Sequence, residues 1–218
     1  MIVSDVKTRV KRTFGDEAGV QVTDADIVRW INDGQRAIAR QNESILEKVA
    51  TQNATLDEDE YALPADLLIL HSVTFKASGE LSYHHLKGLK RQDFDAFIDG
   101  WDGTELSSGS PTVYTIFANK LYLFPRPDAA STNGIKIYYT RKPTDIANDG
   151  DSLDVPELYH EAILNYCLKQ AYEVDEDWTA VGNKSSEIQS DLRTLRDREE
   201  WNSREFYPVI HVMPEDAW

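Results

Sequence analysis

The residue types able to do chemistry are present in this chain, but their spacing does not assemble them. His84-His85 is an adjacent pair. On one strand the two rings would point to opposite faces, and no Cys or His follows at finger-like spacing, so no metal is expected there. His160-Glu161 is not followed by a histidine four residues after the first, which removes the zinc-protease helix. Asp149, Asp151 and Asp154 resemble a calcium loop only loosely. The expected glycine and terminal glutamate are out of register, and turn and capping roles suffice for these carboxylates. Acidic residues are so plentiful that the proximity of two says nothing about a glycosidase pair. No segment forms a glycine-rich phosphate loop, and no serine sits in a nucleophile elbow. Cys167, the only cysteine, lies in an apolar helical stretch and reads as a small core residue with no intrachain partner. The chain is read as no enzyme, with no cofactor.

Two groups of residues are better suited to contact than to turnover. Lys7, Arg9, Lys11 and Arg12 put four cations on one short helix. They form either a solvated face or a contact for DNA or an acidic partner. The rest of the chain opposes them: 38 acidic against 23 basic side chains give a formal charge of −15, a field that repels nucleic acid. Carboxylates concentrate between Asp145 and Asp177, where Lys169 alone opposes them. The second group is the segment from Ser203 to Trp218, with Phe206, Tyr207, Val209, Ile210, Val212, Met213 and Trp218 beside Pro208 and Pro214. The prolines oppose a long helix and favour extended chain. So apolar a segment would be adhesive in water. Either the parent domain folds it down or a partner takes it as a strand or hook.

The elements that must position these groups follow from periodicity. Ser4 is a candidate cap for a helix to about Arg12 that Gly15 ends. Thr23-Asp-Ala-Asp26 is a capping-box variant opening a helix to Ile45, whose stripe is Ile27, Trp30, Ile31, Gly34, Ile38 and Ile45. Close approach of another helix is the plain reason for Gly34. The middle changes period. Short strands are expected at Tyr61–Pro64, Leu67–Lys76 (whose first half is equally readable as a short helix) and Glu80–Leu86, with a helix at Lys90–Trp101. Val113–Phe117 and Lys120–Phe124 make the clearest hairpin about Ala118-Asn119, and Ile135–Thr140 is expected beside it. Helix returns at Asp154-Val-Pro156, with Asp154 as cap and Pro156 in the first turn. A last helix covers Thr179–Trp201, with Val181, Ile188, Leu192 and Leu195 on one stripe.

The expected architecture is α+β: a bundle of about four helices from residues 1–50 and 154–202, a small β-rich insertion at 54–142, and an extended arm at 203–218. Trp30 and Ile31 belong to the bundle core. No run reaches the roughly twenty apolar residues of a membrane span, and no early stretch reads as a secretion signal. An intracellular, membrane-free protein is the expectation.

Four stretches carry a resemblance. Val10–Glu17 and Val22–Arg36 resemble the opening of a tailed-bacteriophage head-to-tail adaptor (connector), and Tyr138–Asp145 and Leu153–Ala162 resemble the same family's passage into its third main helix. The resemblance spans about Asp5 to Trp201. It implies a non-enzymatic virion protein, assembled in the host cytoplasm, forming a ring (usually twelvefold) under the portal at the neck. Such a ring extends the DNA channel and docks the next tail or nozzle component, while genomic DNA passes without sequence recognition. By the same resemblance Ser203–Trp218 is a portal-directed arm, so that Phe206, Tyr207, Val209, Ile210, Val212, Met213 and Trp218 are candidate portal contacts. A DNA-binding or packaging accessory protein using Lys7, Arg9, Lys11 and Arg12 is the alternative from another class.

Overall fold

The computed structural model describes residues 1–42, 45–99 and 108–203. Helix α1 (Val3–Phe14) buries Val3, Val6 and Val10, one to each turn. Its first turn is satisfied from far along the chain, not by Ser4: the Val3 and Ser4 amides donate to the carbonyls of Asp151 and Asp149, at 3.0 and 3.1 Å. Gly15 ends it in the left-handed region. In the following loop the Asp16 carboxylate accepts the backbone N–H groups of Val20, Gln21 and Val22 at 2.8–2.9 Å. These bonds hold its pKa below the usual aspartate range.

Helix α2 (Asp24–Gln41) opens on the capping box, with Thr23 and Asp26 each bonding the other's backbone N–H. Ile27, Trp30, Ile31 and Ile38 are buried as their spacing predicts. A Cβ on Gly34 would lie 3.1 Å from the ring of Tyr166, so a second helix does cross there. The helix stops at Gln41 rather than Ile45. Asn42 turns to extended angles, and its buried side-chain amide donates to the Tyr159 hydroxyl at 3.0 Å.

Among the described residues ten strands and one helix follow: β1 (Glu47–Ala54), β2 (Glu60–Ala62), β3 (Leu67–Phe75), β4 (His84–His85), β5 (Lys87–Gly88), α3 (Arg91–Asp99), β6 (Ser108–Gly109), β7 (Val113–Phe117), β8 (Lys120–Phe124), β9 (Arg126–Pro127) and β10 (Ser131–Arg141). They form a sheet ordered β1-β10-β3-β4, a second ordered β2-β8-β7-β5, and a two-stranded β6-β9 pair. The β7–β8 hairpin has the expected register, Val113 opposite Phe124 and Phe117 opposite Lys120. Ala118 and Asn119 both take positive φ, matching the right-handed strand twist. The long strand β10 does not lie beside this hairpin. It pairs with β1 and β3 in the other sheet.

After a 3-10 turn at Glu157–Tyr159, α4 (His160–Val174) and α5 (Trp178–Ser203) complete the described chain. Asp154 does not cap α4. Its carboxylate grips the Arg141 guanidinium through two bonds of 2.5 and 2.8 Å and accepts the Thr144 N–H. Asp177 caps α5, accepting the N–H groups of Thr179 and Ala180 at 3.1 Å.

The fold is mixed α and β, and the expected four-helix bundle with a small β insertion does not form. Five helices are described, one of them among the strands, and the β part is three sheets rather than one small excursion. Two causes are visible. The segment from Glu47 to Ala54 is extended, its burial alternating from Ala50 to Ala54, and finds its partner some eighty residues later in β10. Helix α5 packs against α4 and does not insert between α1 and α2 to close a bundle. One apolar core joins α1, α2, α4 and α5 through Trp30, Tyr159, Ile163, Cys167 and Leu192. The strands enclose another through Phe75, Leu121, Ile137 and Tyr139. A third, of Phe94, Val113 and Phe124, lies under α3.

Candidate interaction site

The basic helix is largely spoken for. Lys7 donates to Asp149 at 2.5 Å with Asp24 at 3.6 Å, and Lys11 reaches Asp24 at 2.5 Å. Arg9 holds Glu161 through two bonds of 3.1 and 2.8 Å. The bond to Asp149 raises the pKa of Lys7, and Lys11 depresses that of Asp24. Of the four cations only Arg12 is exposed without an ion pair among the described residues. Three of the four charges thus tie α1 to α2, α4 and the loop before α4.

The residues with chemical potential are scattered. His84 lies edge-on to Phe75, its Nε2 3.0 Å from the Pro111 carbonyl, whereas His85 is exposed on the opposite face of its strand. His160 places Nε2 3.0 Å from the Val155 carbonyl, and burial holds its pKa below the usual histidine value. Asp151 accepts the N–H groups of Ala147 and Asn148, Asp149 is paired with Lys7, and Asp154 with Arg141, so the three aspartates serve three different structural jobs. Among the described residues no three His, Cys, Asp or Glu side chains come together as a metal-sized group. Cys167 is fully buried, and desolvation pushes its thiol pKa up. The acidic and basic side chains act mostly on one another and on the backbone.

What the molecule offers instead is surface. At the β7–β8 tip Ile116 and Phe117 stand out, Phe117 55% exposed, with the Arg91 guanidinium 5.5 Å from its ring centre. Val174 and Trp178 are exposed where α4 turns into α5. The outer edge of β1 is the end of its sheet. Between α2 and α5 a trough runs over α4, with Ala37, Ile38, Ala162, Tyr166, Ile188 and Leu192 lining it. Gln41, Gln189, Arg193 and Arg196 continue it towards the end of α5. Periodicity found the buried rows of these helices. It had no means of finding the trough, which exists only because α2 and α5 stand apart on α4.

A protein-family model described as SU10 adaptor protein matches residues 1–208, taking in both the helical and the β regions. The chain belongs to the SU10 adaptor protein family. This is a family of phage head-to-tail adaptors, so the adaptor is a structural phage protein of the virion neck. A search of curated proteins finds no match. Among the described residues no helix of the adaptor is long and apolar enough to cross a membrane. The portal-contact candidates Phe206, Tyr207, Val209, Ile210, Val212, Met213 and Trp218 lie outside the described residues.

Proposed function

We propose that this adaptor forms a twelvefold ring beneath the portal, extends the DNA channel, and presents its outer face to the next tail or nozzle protein. The observation that carries the reading is the family match over residues 1–208. The described surface is consistent with it: exposed apolar patches suited to docking, and polar groups engaged in structural pairs. Residues 203–218 act as the arm to the portal, through Phe206, Tyr207, Val209, Ile210, Val212, Met213 and Trp218. The mechanism is shape-complementary docking, in which main-chain pairing and apolar pockets supply affinity. Deleting residues 203–218 should leave the circular-dichroism signal of the folded domain intact and abolish co-elution with portal in a sizing experiment. Portal binding as tight as wild type would overturn the arm assignment.

DNA passes through without being held, because a body at −15 repels phosphate and three of the four cations of α1 are committed to carboxylates. In an anisotropy titration at about 0.15 M salt, duplex DNA should show no transition in the micromolar range. Submicromolar binding lost on joint replacement of Lys7, Arg9, Lys11 and Arg12 by Ala would favour a DNA-binding accessory role.

A further inference from the structure

The trough over α4 combines an apolar floor with charged margins. Its floor is apolar, from Ile38, Tyr166, Ile188 and Leu192, and two arginines, Arg193 and Arg196, line its α5 end. Arg193 stands at the α5 end, exposed and without an ion pair among the described residues, whereas Lys169 at the other end is paired with Glu173 at 2.9 Å. On a chain of charge −15 this suits a segment that is apolar along its length and acidic at one end. The chain itself supplies one: Val209, Ile210, Val212 and Met213 are followed by Glu215 and Asp216.

The reach is sufficient. Leu192 lies about three turns, roughly 16 Å, before the end of α5, and residues 204–218 extended cover about 50 Å. The segment can turn back along α5, pass Leu192 and still lay its last residues over Ile188 and Tyr166. Its apolar side chains need cover in water wherever the portal is absent.

We propose that the trough between α2 and α5 seats residues 209–218 of the same chain when no partner is bound. The trough is then a storage site for the arm, and a partner must outcompete it. The inference rests on the arm reading only in naming the segment, and its test contains no portal, so a failure of portal binding leaves the result unchanged.

The test uses the full chain as Val212→Cys, with a nitroxide on the new thiol. Cys167 is buried with its thiol held protonated, so the label goes to residue 212. In an isotope-labelled sample the amide signals of Ala37, Tyr166, Ser185 and Gln189 should broaden several-fold more than those of Val113–Phe117. Ala37→Arg and, separately, Ser185→Arg each place a long side chain in the trough from a half-buried position and should restore those signals. Absence of selective broadening overturns the proposal. So does the same broadening in isotope-labelled, spin-free chains mixed with spin-labelled, isotope-free ones, because the segment then sits on a second copy.

Discussion

The helical and β regions are wired in opposite ways. The helical core draws on both ends of the described chain, and its polar ties are equally distant: Lys7 to Asp149, Arg9 to Glu161, and Asn32 to the backbone of Ile146 through two bonds of 3.0 and 2.9 Å. The β region closes within one continuous stretch, from Glu47 to Arg141. It leaves apolar side chains outside, at the hairpin tip and along β1, where Val49 is exposed. A region held by long-range contacts gains rigidity at the cost of needing every piece present. A locally closed region can vary its tips without disturbing its core. The helical region is the frame, and the β region is suited to presenting variable surface.

Three changes would break or sharpen that contrast. The largest effect is expected in the frame. Trp30 is 5% exposed in the helical core, and Trp30→Ala should cost about 3–5 kcal/mol in denaturant melts. A loss well below 1 kcal/mol would mean that this core does not depend on α2 as described.

Next comes the joint between the regions, where Arg141 at the end of β10 meets Asp154 ahead of α4, both largely covered. Arg141→Met should cost about 1.5–3 kcal/mol, the range for hydrogen bonds to charged groups. Arg141 is the main reason the Asp154 carboxyl titrates below its usual range. The depressed folded value means the pair stabilises fully above the ordinary aspartate pKa of about 3.9. That contribution is lost as pH falls through the folded value. The difference between wild type and Arg141→Met should therefore be constant near neutrality and shrink below about pH 4. A gap unchanged down to pH 2 would show that the ion pair contributes nothing and that only packing was lost. The smallest change is at the tip: Phe117→Ser should alter stability by less than about 0.5 kcal/mol. A larger loss would make the tip part of the β core instead of display.

Legibility from sequence follows the same division by distance. The β7–β8 hairpin and the start and stripe of α2 were readable because each rests on a turn, a cap or a period contained within a dozen residues. The start of α1 is not legible from Ser4, since its true acceptors are carbonyls nearly 150 positions away. Strand β1 has no signal within its own segment because its partner β10 lies some eighty residues on, and β10, expected beside the β7–β8 hairpin, pairs with β1 and β3 instead. Asp154 looked like a cap by position, and only the fold brings Arg141 to it. Among the interaction candidates, the four cations were found by composition, while their carboxylate partners needed the assembled helices to appear. The trough had no sequence signal, being a gap between elements.

The distance between α2 and its cover also has a meaning in time. Ile27, Trp30 and Ile31 emerge from the ribosome well over a hundred residues before Ile163 and Cys167, which bury them. At roughly 5–20 residues per second, the first two helices wait on the order of ten seconds with their apolar faces uncovered. The sheets between them can finish folding in that interval. In a newly made chain the β region can therefore close first, and the helical frame has its cover only once α4 has emerged.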